Sequence, residues 1–530
     1  MSSTPELLTY SAVIDHAVKE FGSTQAIVDG ETRIDYSELG ARIDLSARAL
    51  IASGIDHGDR VAVWAPNIWE WVVSALSVLR VGAVLVPVNT RFKGREAAYV
   101  LQRANVKALF TVVGFLGNDY VADLAAAEDK VDSLEHIIVL RGETPSGTVT
   151  FDDFLSRAGA CSDAQFTTRL GQIAGTDLSL LMFTSGTTGL PKGVMLNQAA
   201  ILHGFQHYAN NISLSQGDRF LVIPPFFHAF GFNGAITVCI MRGATIIPHP
   251  VFDVDGALQQ IQDERITVMP APPAVFQSFL NHAELASYDL SSLRSCITGA
   301  ATIPVDMVIG MRERLGFDVV VTAYGMTETH GIATICWPDD SPETIASTSG
   351  RALPGIELRV VDEAGRDVAR GKPGELLIRG YCVMMGYLDQ PEQTAETIDA
   401  EGWMKTGDIV VMDERGYIDI TDRKKDMFIN GGFNAYPAEI ERTMLSHPEI
   451  GQVAVIGVPD ARLGEVGAAF FVAAPDTAPD PSAVLAWCRE EMANYKVPRF
   501  AWQLDALPLN PSGKVLKTEL RERAAALLPA

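Results

Sequence analysis

Apolar residues at Val13, Ile14, Ala17, Val18 and Phe21 fall three and four apart, which predicts an amphipathic helix docked on a core near the start of the chain. The pattern then shortens into uninterrupted apolar bursts. Arg60-Val-Ala-Val-Trp64 and Gly82-Ala-Val-Leu-Val-Pro87, joined by a helical stretch, predict a β-α-β unit, and similar bursts recur at 108–113, 136–140, 219–223, 244–248, 265–269 and 318–322. Strands written as continuous β-branched runs are buried on both faces, so parallel sheets covered by helices are expected. From about Gly355 the texture becomes short alternating strands (357–361, 374–379) separated by Gly and Pro turns, the pattern of a smaller β subdomain. A charged run, Asp422-Arg-Lys-Lys-Asp426, lies between two apolar stretches and marks a domain boundary. Beyond it, strands near Val453–Val458 and Ala468–Ala473 and a helix over 482–494 predict a compact α+β unit.

At 530 residues, two to four domains or subdomains are expected. A composition of 47% hydrophobic and 20% charged residues excludes intrinsic disorder. The excess of 65 acidic over 42 basic residues gives a net charge of −23, which repels nucleic acid phosphates and anionic membrane surfaces, so no nucleic acid partner is expected. Six cysteines (161, 239, 296, 336, 382, 488) are scattered singly, with no Cys-x-x-Cys pair, and read as reduced, mostly buried thiols. The start of the chain has no basic segment followed by an apolar run, and Arg80 interrupts the most apolar stretch, Val72–Val88. A cytoplasmic protein without an integral membrane segment is expected.

The strongest chemical signal follows the strand Leu178–Phe183 and reads Thr184-Ser-Gly-Thr-Thr-Gly-Leu-Pro-Lys-Gly193. Three glycines allow close backbone approach, the hydroxyls of Thr184, Ser185, Thr187 and Thr188 offer hydrogen bonds, and Lys192 supplies charge. Such a loop cradles a polyphosphate. It is not a Walker A loop, because the lysine follows a proline and no Ser or Thr comes directly after it.

With this loop the chain resembles the adenylate-forming superfamily of acyl-CoA synthetases, firefly-type luciferases and peptide-synthetase adenylation domains. The resemblance covers nearly the whole chain and rests on ordered motifs: Pro225-Phe-Phe-His-Ala-Phe-Gly231, Thr298-Gly-Ala-Ala-Thr302, Tyr324-Gly-Met-Thr-Glu328, Gly402–Asp408, Asp422–Asp426, Gly431-Gly-Phe-Asn434 and Asn510-Pro-Ser-Gly-Lys514. It implies an α/β fold with a large N-terminal domain (1–422) that holds the ATP and acyl sites and includes the β subdomain. A hinge at 423–425 with Lys425 at its pivot, and a small mobile domain (426–530), complete the expected organisation. The implied ATP site comprises Thr184, Ser185, Gly186, Thr187, Thr188, Gly189, Lys192, Gly299, Ala300, Tyr324, Gly325, Thr327, Asp408, Arg423 and Lys514. Within it the resemblance has Tyr324 stack on adenine, Thr327 bind the α-phosphate, Asp408 and Arg423 hold the ribose, and Glu328 hold Mg²⁺. Lys514 reaches across the cleft during adenylation, and the groups implied to act on the reacting atoms are Lys514, Thr327, Glu328 and Lys192. Taken singly, Glu328 also reads as a carboxylate at a helix N-terminus, Thr406-Gly-Asp408 as a turn and Lys514 as an exposed turn lysine.

The acyl site divides the superfamily. Amino-acid adenylation domains carry an aspartate near the stretch Phe226-Phe-His228, whereas no acidic residue lies between Pro224 and Met241 here, so an ammonium would enter without its partner. A carboxylic acid with an apolar body is therefore expected, surrounded by His228, Phe232, Ala300, Ala301 and Met326, with His228 an orienting donor or gate. In CoA-using relatives a glycine at the position of Gly431-Gly432 lets the pantetheine arm pass. The implied reaction joins an acid to CoA through an acyl-AMP, using ATP, Mg²⁺ and CoA. Loading of a carrier-protein thiol and a catalytically silent nucleotide-binding scaffold are the alternatives. Several stretches, among them Gly457-Val-Pro-Asp-Ala-Arg-Leu-Gly-Glu465, look most like bacterial fatty-acyl-CoA synthetases, including a branch that activates the ring propanoate left during steroid degradation. A homodimer is common in the family.

Overall fold

The computed structural model of the chain describes residues 8–528 apart from 186–190, 300–302, 304, 363, 424–427, 436, 475–476, 509–514 and 516, with the side chains of 185, 421–423, 434, 438, 442 and 518 also set aside. The expected opening helix runs Tyr10–Phe21, capped by the Thr9 hydroxyl, and buries Val13, Ile14 and Ala17. Strands Arg60–Trp64 and Val84–Pro87 flank the helix Trp69–Arg80 and pair in parallel, forming the expected β-α-β unit.

Two nine-stranded sheets make up the large domain. One runs, in spatial order, Arg351–Ala352, Thr334–Ile335, Val319–Tyr324, Ser295–Gly299, Val268–Pro270, Arg219–Val222, Thr245–Pro248, Gln25–Asp29 and Thr32–Asp35. Its interior pairings are parallel and its outermost ones antiparallel. The second sheet centres on parallel strands Val84–Pro87, Arg60–Trp64 and Val106–Phe115, and Leu178–Ser185 joins it in parallel beside Val84–Pro87. The β-branched bursts account for both sheets, because only side chains buried on each face tolerate such runs. A four-stranded antiparallel sheet of Ile356–Val361, Pro373–Gly380, Met404–Met412 and Ile418–Arg423 forms the β subdomain. The small C-terminal domain has its own sheet, led by Ile450–Asp460 and Gly464–Ala473, with separate apolar clusters on the two sides of that pair.

Arg80 does more than interrupt an apolar run. It is 4% exposed, and its guanidinium meets Asp15 at 2.7 Å, Asp44 at 2.9 Å and the Ser11 carbonyl at 2.9 Å, tying three helices together. Burial opposes its charge, yet the aspartates outweigh burial and raise its pKa. All six cysteines are buried free thiols. Among the described residues, no helix is long and apolar enough to cross a membrane.

His330 clips the first sheet to its surroundings. Its backbone is left-handed (φ 56°), its Nε2 accepts from the Asn197 N–H at 3.2 Å, and its Nδ1–H therefore donates to the Cys382 carbonyl at 2.7 Å. Burial pushes its pKa down to about 4. The unfolded chain, with an ordinary histidine pKa near 6.5, binds the proton first, so this residue's contribution to stability falls as pH drops from about 6.5 toward 4. Denaturant unfolding at pH 7 and pH 5 should show a shallower loss of stability in His330→Asn than in the parent protein, since asparagine accepts the left-handed backbone but cannot titrate.

Candidate active site

The carboxyl ends of both sheets converge on one cavity of about 800 Å³. Open α/β sheets bind ligands at such ends, where strands hand over to loops whose backbone groups are not yet paired. From the first sheet come Gly299, the 223–225 turn, His249 to Phe252 and Pro272; from the second come Pro87, Asn89 to Lys93 and Met182 to Thr184. Thr327 and His228 also line it, and the small domain contributes Gly431, Gly432, Phe433, Tyr495 and Lys496.

The phosphate-loop segment is a hairpin. Strands Leu178–Ser185 and Pro191–Asn197 pair antiparallel with Thr184 opposite Lys192, while 186–190 lie outside the described residues. That pairing differs from a strand-to-helix phosphate loop and sets Thr184 and Lys192 opposite each other on neighbouring strands. Gly193 and Met195 accept backbone hydrogen bonds from Leu388 and Met385, at 2.8 and 2.9 Å, so the segment around Gly386–Tyr387 closes over the hairpin.

Behind Thr327 lies a buried cluster. The Tyr324 hydroxyl donates to Asp408 Oδ2 at 2.6 Å, and the Tyr387 hydroxyl donates to Glu328 Oε1 at 3.0 Å. Lys192 Nζ stands 5.1 Å from the centre of the Tyr387 ring. Burial raises the Glu328 pKa, Tyr387 and Lys192 work against that rise, and Asp408 adds to it. Strand register sets Asp408 opposite Arg423, so the two expected ribose ligands sit on neighbouring strands, although the Arg423 side chain is outside the described residues. Gly325 has a packing reason to be glycine: a Cβ there would collide with the Gly331 carbonyl and the Ile332 Cα.

On the acyl side, His228 Nδ1 accepts from the Phe230 N–H at 3.2 Å, which leaves the proton on Nε2. The ring is accessible from the cavity yet surrounded by protein, and that desolvation lowers its pKa and favours the neutral donor form. Phe232 is placed elsewhere, fully buried between Trp71 and Tyr10 at centroid distances of 5.7 and 5.9 Å. Packing against Trp71 and Tyr10 holds it in the core, and Phe230, Val251, Phe252 and Val275 face the cavity instead. Met326 lies beside the Tyr324 hydroxyl, its sulfur 3.9 Å away. Ala300, Ala301, Lys425 and Lys514 lie outside the described residues.

Sequence reasoning missed Tyr387, Val251 and Phe252. Tyr387 sits some sixty positions from the carboxylate it serves, in a segment with no chemical pattern of its own. Val251 and Phe252 left a faint signal, as large apolar residues directly after a strand in a chain that buries most others; they are 44% and 38% exposed, on the cavity wall.

Residues 14–388 match the AMP-binding enzyme family, and 439–514 match the AMP-binding enzyme C-terminal domain. The chain belongs to the AMP-binding enzyme family. Two relatives, from Rhodococcus jostii and Mycobacterium tuberculosis, are methyl-dioxo-octahydro-indenyl propanoyl:CoA ligases. They are 45% and 44% identical, each alignment covering 98% of this chain and 99% of the relative. An o-succinylbenzoate CoA synthetase from Bacillus subtilis, solved with a product analogue, superposes with a TM-score of 0.81 at 25% identity, over 96% of this chain and 98% of that one. As a member of this family with CoA ligases as relatives along its whole length, the protein is a carboxylic acid–CoA ligase with the expected two-part α/β fold.

The Tyr387–Glu328 hydrogen bond generates a pH prediction. Removing the hydroxyl withdraws a donor from the ionised carboxylate, so Tyr387→Phe should move the acid limb of acyl-AMP formation upward by about one pH unit, as a hydrogen bond to a charged group worth about 1.5 kcal/mol would require. A pH–rate profile of acid-dependent pyrophosphate release checks it; an unmoved limb would detach Glu328 from this step.

Proposed function

We propose that the protein activates a steroid-derived fused-ring propanoate with ATP and transfers it to CoA. One observation carries the CoA reading: Gly431 and Gly432 share a cavity with Thr184, Gly299, Thr327 and His228. Both glycines have left-handed backbones, with φ of 57° and 84°, and Gly432 faces Pro272 of the large domain, where an added Cβ would stand 3.6 Å from the proline ring. A side chain at that point would strain the backbone and narrow the passage. The ring-propanoate reading draws on the two relatives at 45% and 44% identity, against 31% for a medium-chain acyl-CoA ligase, and on the apolar wall of Phe230, Val251, Phe252 and Val275.

In the first step the substrate carboxylate attacks the α-phosphorus, a P–O bond breaks, and pyrophosphate leaves. Thr327, Lys192 and the implied Lys514 stabilise charge spreading over the phosphate oxygens, while His228 Nε2–H orients the acid. In the second, CoA thiolate attacks the acyl carbon and AMP departs with the bonding electrons of the acyl–oxygen bond. No protein nucleophile takes part; positioning supplies the rate. Glu328 would help hold a magnesium ion, which when bound would neutralise phosphate charge. Among the described residues no group of three or more His, Cys, Asp and Glu could hold a metal alone, and magnesium that rides on substrate phosphates needs only one or two carboxylates. ATP and CoA are cytoplasmic pools, and the reading places the protein there.

The deciding experiment is acid-dependent AMP release, with and without CoA, across fused-ring propanoates, medium- and long-chain fatty acids and aromatic acids. Turnover requiring CoA, and fastest with a ring propanoate, is expected. Preference for linear acids would reject the substrate, and acyl-AMP formation indifferent to CoA would favour a carrier thiol. Lys514→Ala should lose acyl-AMP formation by about 10²–10³-fold while still converting supplied acyl-AMP to thioester. Gly432→Leu should do the reverse, sparing adenylation and slowing thioester formation; equal losses in both steps would argue against a pantetheine passage there.

A further inference from the structure

The two domains meet through a buried lysine. Lys496, on the small domain, is 2% exposed; its Nζ lies 2.6 Å from Glu96 Oε1 of the large domain and 2.8 Å from Glu439 Oε1 of its own. The ammonium also stands 4.6 Å from the centre of the Phe92 ring, again across the boundary. Burial disfavours its charge, but the neighbouring negative groups prevail and raise its pKa, so it stays protonated. Glu96 is locally fixed, since its other oxygen accepts the Lys93 N–H at 3.0 Å at the start of the helix Gly94–Arg103. Around this centre, Arg91 lies 4.2 Å over the Phe433 ring and Asn89 donates to the Tyr495 hydroxyl at 3.4 Å.

In this docked orientation Glu439 is 5% exposed and the Glu96 side chain 19% exposed, the two lying on either side of the same ammonium. With one ammonium between them the arrangement is electrically tolerable; without it the buried Glu439 and the partly buried Glu96 face one gap with no cation in it, which is unfavourable. An orientation that returns Glu96 and Glu439 to water carries no such penalty. The orientation seen here is also the one that sets Gly431 and Gly432 on the cavity.

We propose that Lys496 is a positioning residue for thioester formation, bridging Glu96 and Glu439 so that the small domain docks with its glycine pair on the cavity. The proposal rests on the two-step CoA reading above. It assigns Lys496 to the docking of the domains and leaves acyl-AMP formation, which uses the other orientation, independent of it.

The experiment measures the half-reactions separately in the full-length protein: pyrophosphate exchange for adenylation, and single-turnover transfer from supplied acyl-AMP to CoA. The parent protein is assayed first; failure to transfer to CoA would reject the CoA reading itself. Lys496→Met, close in size but uncharged, should slow transfer by about 10²-fold and change pyrophosphate exchange by less than about twofold. Lys496→Arg should recover part of the lost rate. Glu96→Gln should also slow transfer, and the Glu96→Gln/Lys496→Met pair should be no slower than Lys496→Met alone, because both act through one contact. Transfer at the parental rate in Lys496→Met, equal loss of both half-reactions, or multiplicative effects in the double variant would each overturn the proposal. The last would place Lys496 on CoA rather than on Glu96.

Discussion

Two buried carboxylates, each held by a tyrosine hydroxyl, organise this molecule's active centre. Tyr324 ends a strand of the first sheet and reaches Asp408 in the β subdomain; Tyr387, beside the phosphate-loop hairpin in the second sheet, reaches Glu328 just beyond Tyr324. Three sheets are thereby tied at one point. An ionised carboxylate taken out of water is costly unless donors surround it, so these two hydroxyls set how the sheets sit relative to one another. Neither Asp408 nor Glu328 can be displaced without breaking a hydrogen bond that joins segments of different sheets.

The electrostatics of the cavity run against those of the chain. A net charge of −23 repels ATP, CoA and a carboxylate acid alike, and the site answers with local donors: Lys192 at the hairpin, the Nε2–H of a neutral His228, and oriented backbone at the strand ends. Neutral His228 suits an orienting role. A base strong enough to hold a proton beside the acid would compete with the phosphates for its charge, whereas a desolvated imidazole donates one hydrogen bond and remains uncharged.

Two domains wall the one cavity. The large domain supplies Thr184, Gly299, Thr327 and His228, and the small domain supplies the glycine pair with Tyr495 and Lys496. The small domain retains apolar clusters of its own. Among the described residues, contacts across the boundary include Lys496 with Glu96, Asn89 with Tyr495, and Arg91 over Phe433.

Much of this was written locally. The apolar bursts at 60–64, 108–113 and 318–322 became interior parallel strands because a β-branched run can be satisfied only between two covered faces. The glycine- and hydroxyl-rich segment between Thr184 and Lys192 was visible as a motif in its own right, whereas Asp408 and Arg423 stood out only through the family resemblance, and strand register sets them opposite each other. What the tertiary structure decided is the company those motifs keep. Nothing near Tyr387 announces Glu328, Phe232 looked like pocket and was drawn into the core with Trp71, and Glu96 lies four hundred positions from the lysine it meets. Periodicity and turn chemistry are properties of neighbours in the chain, whereas burial and charge pairing are settled between segments that only folding brings together.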